Sequence, residues 1–155
     1  MNIIIGLGNI LFSDEGIGIH VVRELEKRGN IKNTLYIDMG TSSLDLDYFL
    51  TSDLDRIAIV DCLITKDGKP GDVYRISISE LDKRIHAKEY SLHQLKLAEM
   101  VQILSIINDL PDILILGIIP FDIKTLSMDL SYKLNANFSE MVLKVENSII
   151  NFFQR

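Results

Sequence analysis

The first eighteen residues, MNIIIGLGNILFSDEGIG, restrict what this chain can fold into more than any other segment. Ile3, Ile4 and Ile5 form an apolar run of the kind a strand shows when both its faces are covered. Gly6 and Gly8 then turn the chain, a short apolar loop follows, and the acidic pair Asp14-Glu15 stands where a helix must begin. Strand, glycine turn and helix is the opening of many nucleotide-binding α/β domains. Here it carries negative charge at the helix start, where a phosphate would otherwise bind.

The dinucleotide fingerprint G-x-G-x-x-G fails for a second reason, since its third glycine would fall at Leu11. No G-x-x-x-x-G-K-[ST], H-E-x-x-H or G-x-S-x-G segment occurs either, which excludes the standard phosphate loop, zinc protease and serine hydrolase signatures. Sixteen Lys+Arg against 22 Asp+Glu give a net charge of -6, a balance that disfavours nucleic acid as a partner. The 155 residues, 47% of them hydrophobic, suit a single domain over 1–155 with one core and a sheet covered on both faces. One cysteine, Cys62, rules out an intramolecular disulfide and fits a reducing compartment. No stretch approaches the ~18 consecutive apolar residues of a membrane span. No basic segment precedes the first apolar run, so no signal peptide is expected. The expected protein is a cytoplasmic monomer.

Residues 2–7 read as a buried strand and 15–28 as a helix, with Ile17, Val21, Val22 and Leu25 at helical spacing and Gly29-Asn30 as its end. Further strands are expected at 34–38 and 56–61, and Ser42 or Ser43 can cap a short helix running to Leu50. Residues 72–78 alternate as a strand. Only ten residues separate it from the preceding one, too few for a helical crossover, so it should lie antiparallel at an edge. Residues 79–90 are ambiguous. A long apolar helix is expected from Leu92 to Ile107, capped by Ser91, then a buried strand at 112–119. The final helix carries Leu134, Phe138, Met141, Val142, Val145 and Ile149 on one face. This order gives a mostly parallel sheet with helices on both sides, whose ligands bind at the rim formed by the C-terminal ends of the strands.

Several polar residues fall on that rim. Asp14 and Glu15 follow the first strand, Asp38 ends the second, Asp61 ends the third, and His93 lies in the first turn of the long helix. Carboxylates and an imidazole converging there would suit a divalent transition metal, and without one the crowding should raise at least one carboxylate pKa. Each has a plainer role open to it. Asp14 or Glu15 can stabilise a helix N-terminus, Asp61 can bond loop amides, and His93 can be an ordinary hydrogen-bonded histidine. His20 and His86 read as surface residues. Cys62 reads as a small core residue.

The segments Gly6-Leu7-Gly8-Asn9-Ile10-Leu11 and Asp14-Glu15-Gly16-Ile17-Gly18 resemble the opening of the hydrogenase maturation endopeptidases. The resemblance continues through Asp38-Met39-Gly40-Thr41, Ile59-Val60-Asp61, Ser91-Leu92-His93-Gln94-Leu95 and Gly117-Ile118-Ile119-Pro120, in the family's order over most of the chain. It implies a three-layer α/β/α sandwich around a mixed, mostly parallel five-stranded sheet. It further implies an endopeptidase, filed with the aspartic type, that removes the C-terminal extension of a nickel–iron hydrogenase large-subunit precursor after nickel insertion. The family's metal-contacting positions match Glu15, Asp61 and His93, which would sense nickel held by the precursor. Asp38 matches an acidic position with a positioning or catalytic role. Gly6 and Gly8 would then turn the chain so that Glu15 faces the rim with Asp61 and His93.

Two positions depart from the pattern. Met39 stands where a small residue is usual, and Asp129 replaces a glycine in the segment after Pro120. A non-proteolytic hydrogenase assembly or metal-binding factor of the same fold is the alternative reading. Peptidyl-tRNA hydrolases also begin with a glycine–leucine–glycine–asparagine strand end, but continue with proline where this chain has Ile10, and a tRNA binder should show a basic face.

Overall fold

The computed structural model describes residues 1–42, 54–77, 79, 80, 83, 98, 99 and 111–155. Five strands form one sheet in the order β2-β1-β3-β5-β4. They are β1 (Asn2–Leu7), β2 (Thr34–Gly40), β3 (Arg56–Cys62), β4 (Val73–Ile76) and β5 (Asp112–Ile118). The first, second, third and fifth run parallel, and β4 pairs antiparallel with β5 at the edge, as its short connection requires.

The apolar strands are sorted by parity. Ile4, Ala58, Val60, Leu114 and Leu116 enter one cluster, together with Ile17, Val21 and Leu25 of α1 (Ile17–Arg28). Ile3, Ile5, Leu7, Ile57, Ile59 and Ile115 enter the other, which also takes Ala98. Alternate residues of a strand point to opposite faces, so a continuous run of isoleucine and valine is what a sheet covered on both sides needs. The expected α/β sandwich with a mixed, mostly parallel five-stranded sheet is the fold observed. Among the described residues no helix is long and apolar enough to cross a membrane.

Two helix boundaries differ from the periodicity. The helix expected at 15–28 is divided into a 3-10 turn over Ser13–Gly16 and then α1, because Ser13 takes a left-handed conformation (φ 50°) and Gly16 is the N-cap. At its far end Gly29, with φ 62°, closes α1 by donating its N–H to the Leu25 carbonyl, as expected of a glycine there. The C-terminal helix is also in two pieces, α2 (Tyr132–Ala136) and α3 (Phe138–Phe153), divided at Asn137. Ser131 caps α2 by accepting the Leu134 N–H. The apolar stripe survives the break: Leu134, Met141, Val142, Val145 and Ile149 are buried. The helices expected from Ser42 or Ser43 to Leu50 and from Leu92 to Ile107 fall largely outside the described residues.

Candidate active site at the strand C-terminal rim

The chain passes from β1 to β2 on one side of the sheet and then to β3 on the other side of β1. The C-terminal ends of β1 and β3 therefore flank the point where the strand order reverses, the crevice in which such sheets bind ligands. The 3-10 turn leaves the end of β1, and Asp61 is the penultimate residue of β3.

Glycines let these parts come close. Gly8 has φ 137°, and a Cβ there would collide with the carbonyl oxygen of Glu15. A Cβ on Gly18 would collide with the carbonyl oxygens of Val60 and Leu7. The start of α1 thus lies directly on the ends of β1 and β3, and Glu15 is carried to the same corner as Asp61.

Asp61 is buried at 2% exposure. Its Oδ1 accepts the Cys62 N–H at 2.7 Å. Its Oδ2 is buried and, among the described residues, has no hydrogen-bond partner. Burial, partly offset by the Cys62 N–H and reinforced by the charge of Glu15, pushes its pKa up to about 7. A raised carboxylate at the rim is expected, but burial rather than crowding supplies most of the shift, and Glu15 adds the smallest part. The Cys62 thiol is fully buried, and burial together with Asp61 and Glu15 pushes its pKa well above the ordinary value. That suits the core residue expected rather than a nucleophile.

A buried carboxylate oxygen with no partner beside a second carboxylate is the donor set that a cation satisfies. Among the described residues no three His, Cys, Asp or Glu side chains are gathered so as to hold a metal ion. The third expected residue, His93, lies outside the described residues.

Asp38 sits at the end of β2 opposite Gly6 in the register. Its Oδ2 meets the guanidinium of Arg23 at 2.7 Å and its Oδ1 accepts the Gly40 N–H at 3.1 Å. Neighbouring Met39 is buried in the cluster with Ile5 and Leu7, so the departure at that position is taken up in packing.

Asp14 does something that helix-end reasoning misses. It makes no cap to α1, whose N-cap has no side-chain hydrogen bond. Its carboxylate is fully buried and accepts three backbone N–H groups from the segment after β5. Oδ2 takes those of Phe121 and Asp122 at 2.9 and 2.8 Å, and Oδ1 takes that of Ser131 at 2.7 Å. Asp129 joins this segment through its backbone: its carbonyl accepts the Ser13 hydroxyl, and its φ is not positive, so glycine is not required there.

His20, read as a surface residue, is instead half-buried. Its Nε2 is buried without a hydrogen-bond partner among the described residues. Burial and the charge of Arg23 lower its pKa. The signal for His20 was its spacing on α1, three residues from Ile17 and adjacent to Val21; the role of Asp14 has no such local signal.

Known proteins resemble this arrangement. The sequence profile of the hydrogenase maturation protease family matches residues 19–148. The hydrogenase 2 maturation protease of Escherichia coli is 32% identical over 120 residues, which cover 76% of this chain and 72% of that protein. The hydrogenase expression/formation protein HupD of Thiocapsa roseopersicina is 28% identical over 128 residues. The chain spans only 55% of that relative's length, and 64% of the length of the HupD of Bradyrhizobium diazoefficiens, to which it is 32% identical. Among solved structures, the NiFe hydrogenase maturation protease HybD from Thermococcus kodakarensis superposes with a TM-score of 0.75 at 28% identity, covering 94% of this chain and 97% of that one. The hydrogenase maturating endopeptidase HybD from Escherichia coli shares the fold with a TM-score of 0.79 at 23% identity, over 97% and 92% of the two chains. With the profile matching most of its length, this chain belongs to the hydrogenase maturation protease family.

Proposed function

We propose that this chain, acting over 1–155 as a single domain, is the endopeptidase that removes the C-terminal extension of a nickel–iron hydrogenase large-subunit precursor once nickel is in place. Glu15, Asp61 and His93 contact the nickel, which arrives as part of the substrate. One observation carries this reading: Asp61 is buried beside Glu15 at the sheet's switch point with Oδ2 lacking a partner among the described residues. A positive centre brought by the substrate supplies that partner, and a precursor without the metal does not. Recognition of the metal then makes cleavage follow loading.

Cleavage adds water across one amide: the water oxygen bonds to the scissile carbonyl carbon, the C–N bond breaks, and the leaving nitrogen takes a proton. Two versions of the chemistry fit the same residues. In one, nickel polarises the carbonyl or the water as a Lewis acid. In the other, nickel only orders the substrate, and carboxylates take the water's proton, as the aspartic-type classification implies. Asp38 is the candidate for positioning or catalysis at the neighbouring strand end, where Arg23 and the Gly40 N–H hold its carboxylate. The enzyme works as a monomer in the cytoplasm.

Glu15→Gln, Asp61→Asn and His93→Ala should each lower the rate of cleavage of nickel-loaded precursor by at least about 100-fold, the scale on which a metal contact or its support matters. Their circular dichroism should be unchanged. Normal processing by Glu15→Gln and His93→Ala would remove the assigned roles. The alternative, a non-proteolytic assembly or metal-binding factor, predicts tight precursor binding with no loss of mass.

A further inference from the structure

The segment that follows β5 does not wander off the rim; it is pinned back onto the loop between β1 and α1. Besides the three N–H groups held by Asp14, the Asp14 N–H donates to the Asp122 carbonyl at 2.9 Å. The Ser13 N–H donates to the Ser127 carbonyl at 2.8 Å, and the Ser127 N–H donates to the Leu11 carbonyl at 3.0 Å. Asp14 is separated by 107 to 117 residues from the amides it holds, so the staple joins two remote parts of the chain. It does so from the residue next to Glu15. The strained φ of Ser13 belongs to the same turn.

Ile123 and Leu130 of the pinned segment pack against the core, while its other large apolar side chains face outward. Leu126 is 75% exposed, Met128 59% and Phe121 46%, and Leu11, bonded to the segment through its carbonyl, is 50% exposed. Short backbone hydrogen bonds to a carboxylate are stronger than those between amides. A stretch held that way, anchored on the core by Ile123 and Leu130 yet presenting other aliphatic and aromatic side chains to solvent, is a preorganised lip.

We propose that Asp14 is a positioning residue for substrate: it fixes the lip of residues 121–131 beside Glu15, so that the precursor polypeptide flanking the scissile bond packs on Leu11, Phe121, Leu126 and Met128. This rests on the processing function proposed above. The occupant is a polypeptide because the lip continues the rim that carries Glu15 and Asp61, where the scissile segment must lie if the metal it accompanies is to meet them. Asp14 touches neither substrate nor metal and acts only through the lip.

The test measures KM, kcat and the affinity for uncut precursor, with nickel-loaded precursor and the full-length chain. Asp14→Asn removes the charge and places an amide among amide donors. KM and the dissociation constant should rise on the order of tenfold, the worth of one charge-assisted hydrogen bond, while kcat at saturation stays within about twofold. Met128→Ser and Leu126→Ser, on exposed side chains that do not threaten the fold, should raise KM in the same direction. Unchanged KM and affinity in Asp14→Asn, or a fall in kcat alone, overturns the proposal. If Asp14→Asn does not fold, the lip variants decide, and an unchanged KM in both overturns it. Wild-type protein that binds loaded precursor without cutting it removes the processing function but leaves the affinity comparison to decide the lip; wild-type protein that neither binds nor cuts overturns both.

Discussion

A carboxylate with one oxygen buried and, among the described residues, without a hydrogen-bond partner is held against its own preference, and Asp61 is such a group. Its folded-state pKa of about 7 lies above the ordinary 3.8, so the native protein binds a proton there more tightly than the unfolded chain does. The sign follows from that difference. Between about pH 4 and pH 7 the folded state holds more protons at this residue, so raising the pH through this window destabilises the fold, and above it the loss is complete. For metal-free protein we expect the contribution to fall by on the order of a few kcal/mol across the window. Asp61→Asn should flatten that fall in urea midpoints measured from pH 4 to 8, and an equal slope in the variant would show that Asp61 is not the titrating group. Asp61 and Glu15 were legible as residues because a strand end and a helix start lead to one rim. The staple made by Asp14 was not: its three partners lie more than a hundred residues away, and no local pattern separates a carboxylate that caps a helix from one that reaches across the molecule.

At the scale of elements, the same kind of long-range polar contact fastens α1 to α3. Glu146 is buried on α3 at 4% exposure. Its Oε2 lies 3.3 Å from the Arg28 guanidinium at the end of α1, and its Oε1 accepts the Asn30 side-chain N–H at 2.8 Å. Arg28 also meets Glu24 one turn back, at 3.3 Å. Glu146→Ala leaves the donors of Arg28 and Asn30 without their acceptor. It should cost about 2 to 3 kcal/mol, allowing for the partial exposure of Arg28. A denaturation midpoint equal to wild type would show that solvent replaces the carboxylate fully. The strands were readable because their apolar runs and separations follow from two-sided burial, and the antiparallel β4 because ten residues cannot carry a helical crossover. The 3-10 turn and the break at Asn137 were not. Both interrupt an apolar stripe that keeps its helical period across the irregularity, and periodicity reports the stripe rather than the backbone.

For the molecule as a whole, the opening segment proves to be the organising feature. Gly8 and Gly18 bring the turn against the strand ends, Glu15 is carried close enough to Asp61 for its charge to be felt there, and the residue beside it ties down the rim's outer lip. The negative charge that disqualified a phosphate is charge a cation can meet. His93, the third residue expected at the site, lies outside the described residues, so its place there stands on the resemblance of Ser91-Leu92-His93-Gln94-Leu95 to the family pattern. The family assignment and the fold agree with one another across most of the chain. The central claim is that this protein cuts a hydrogenase large-subunit precursor only when the precursor carries nickel. Its most direct test is intact-mass spectrometry of the precursor, nickel-loaded and nickel-free, after incubation with the protein. The account predicts loss of a single C-terminal fragment from the loaded form and an unchanged mass for the nickel-free form; equal cleavage of both, or of neither, would contradict it.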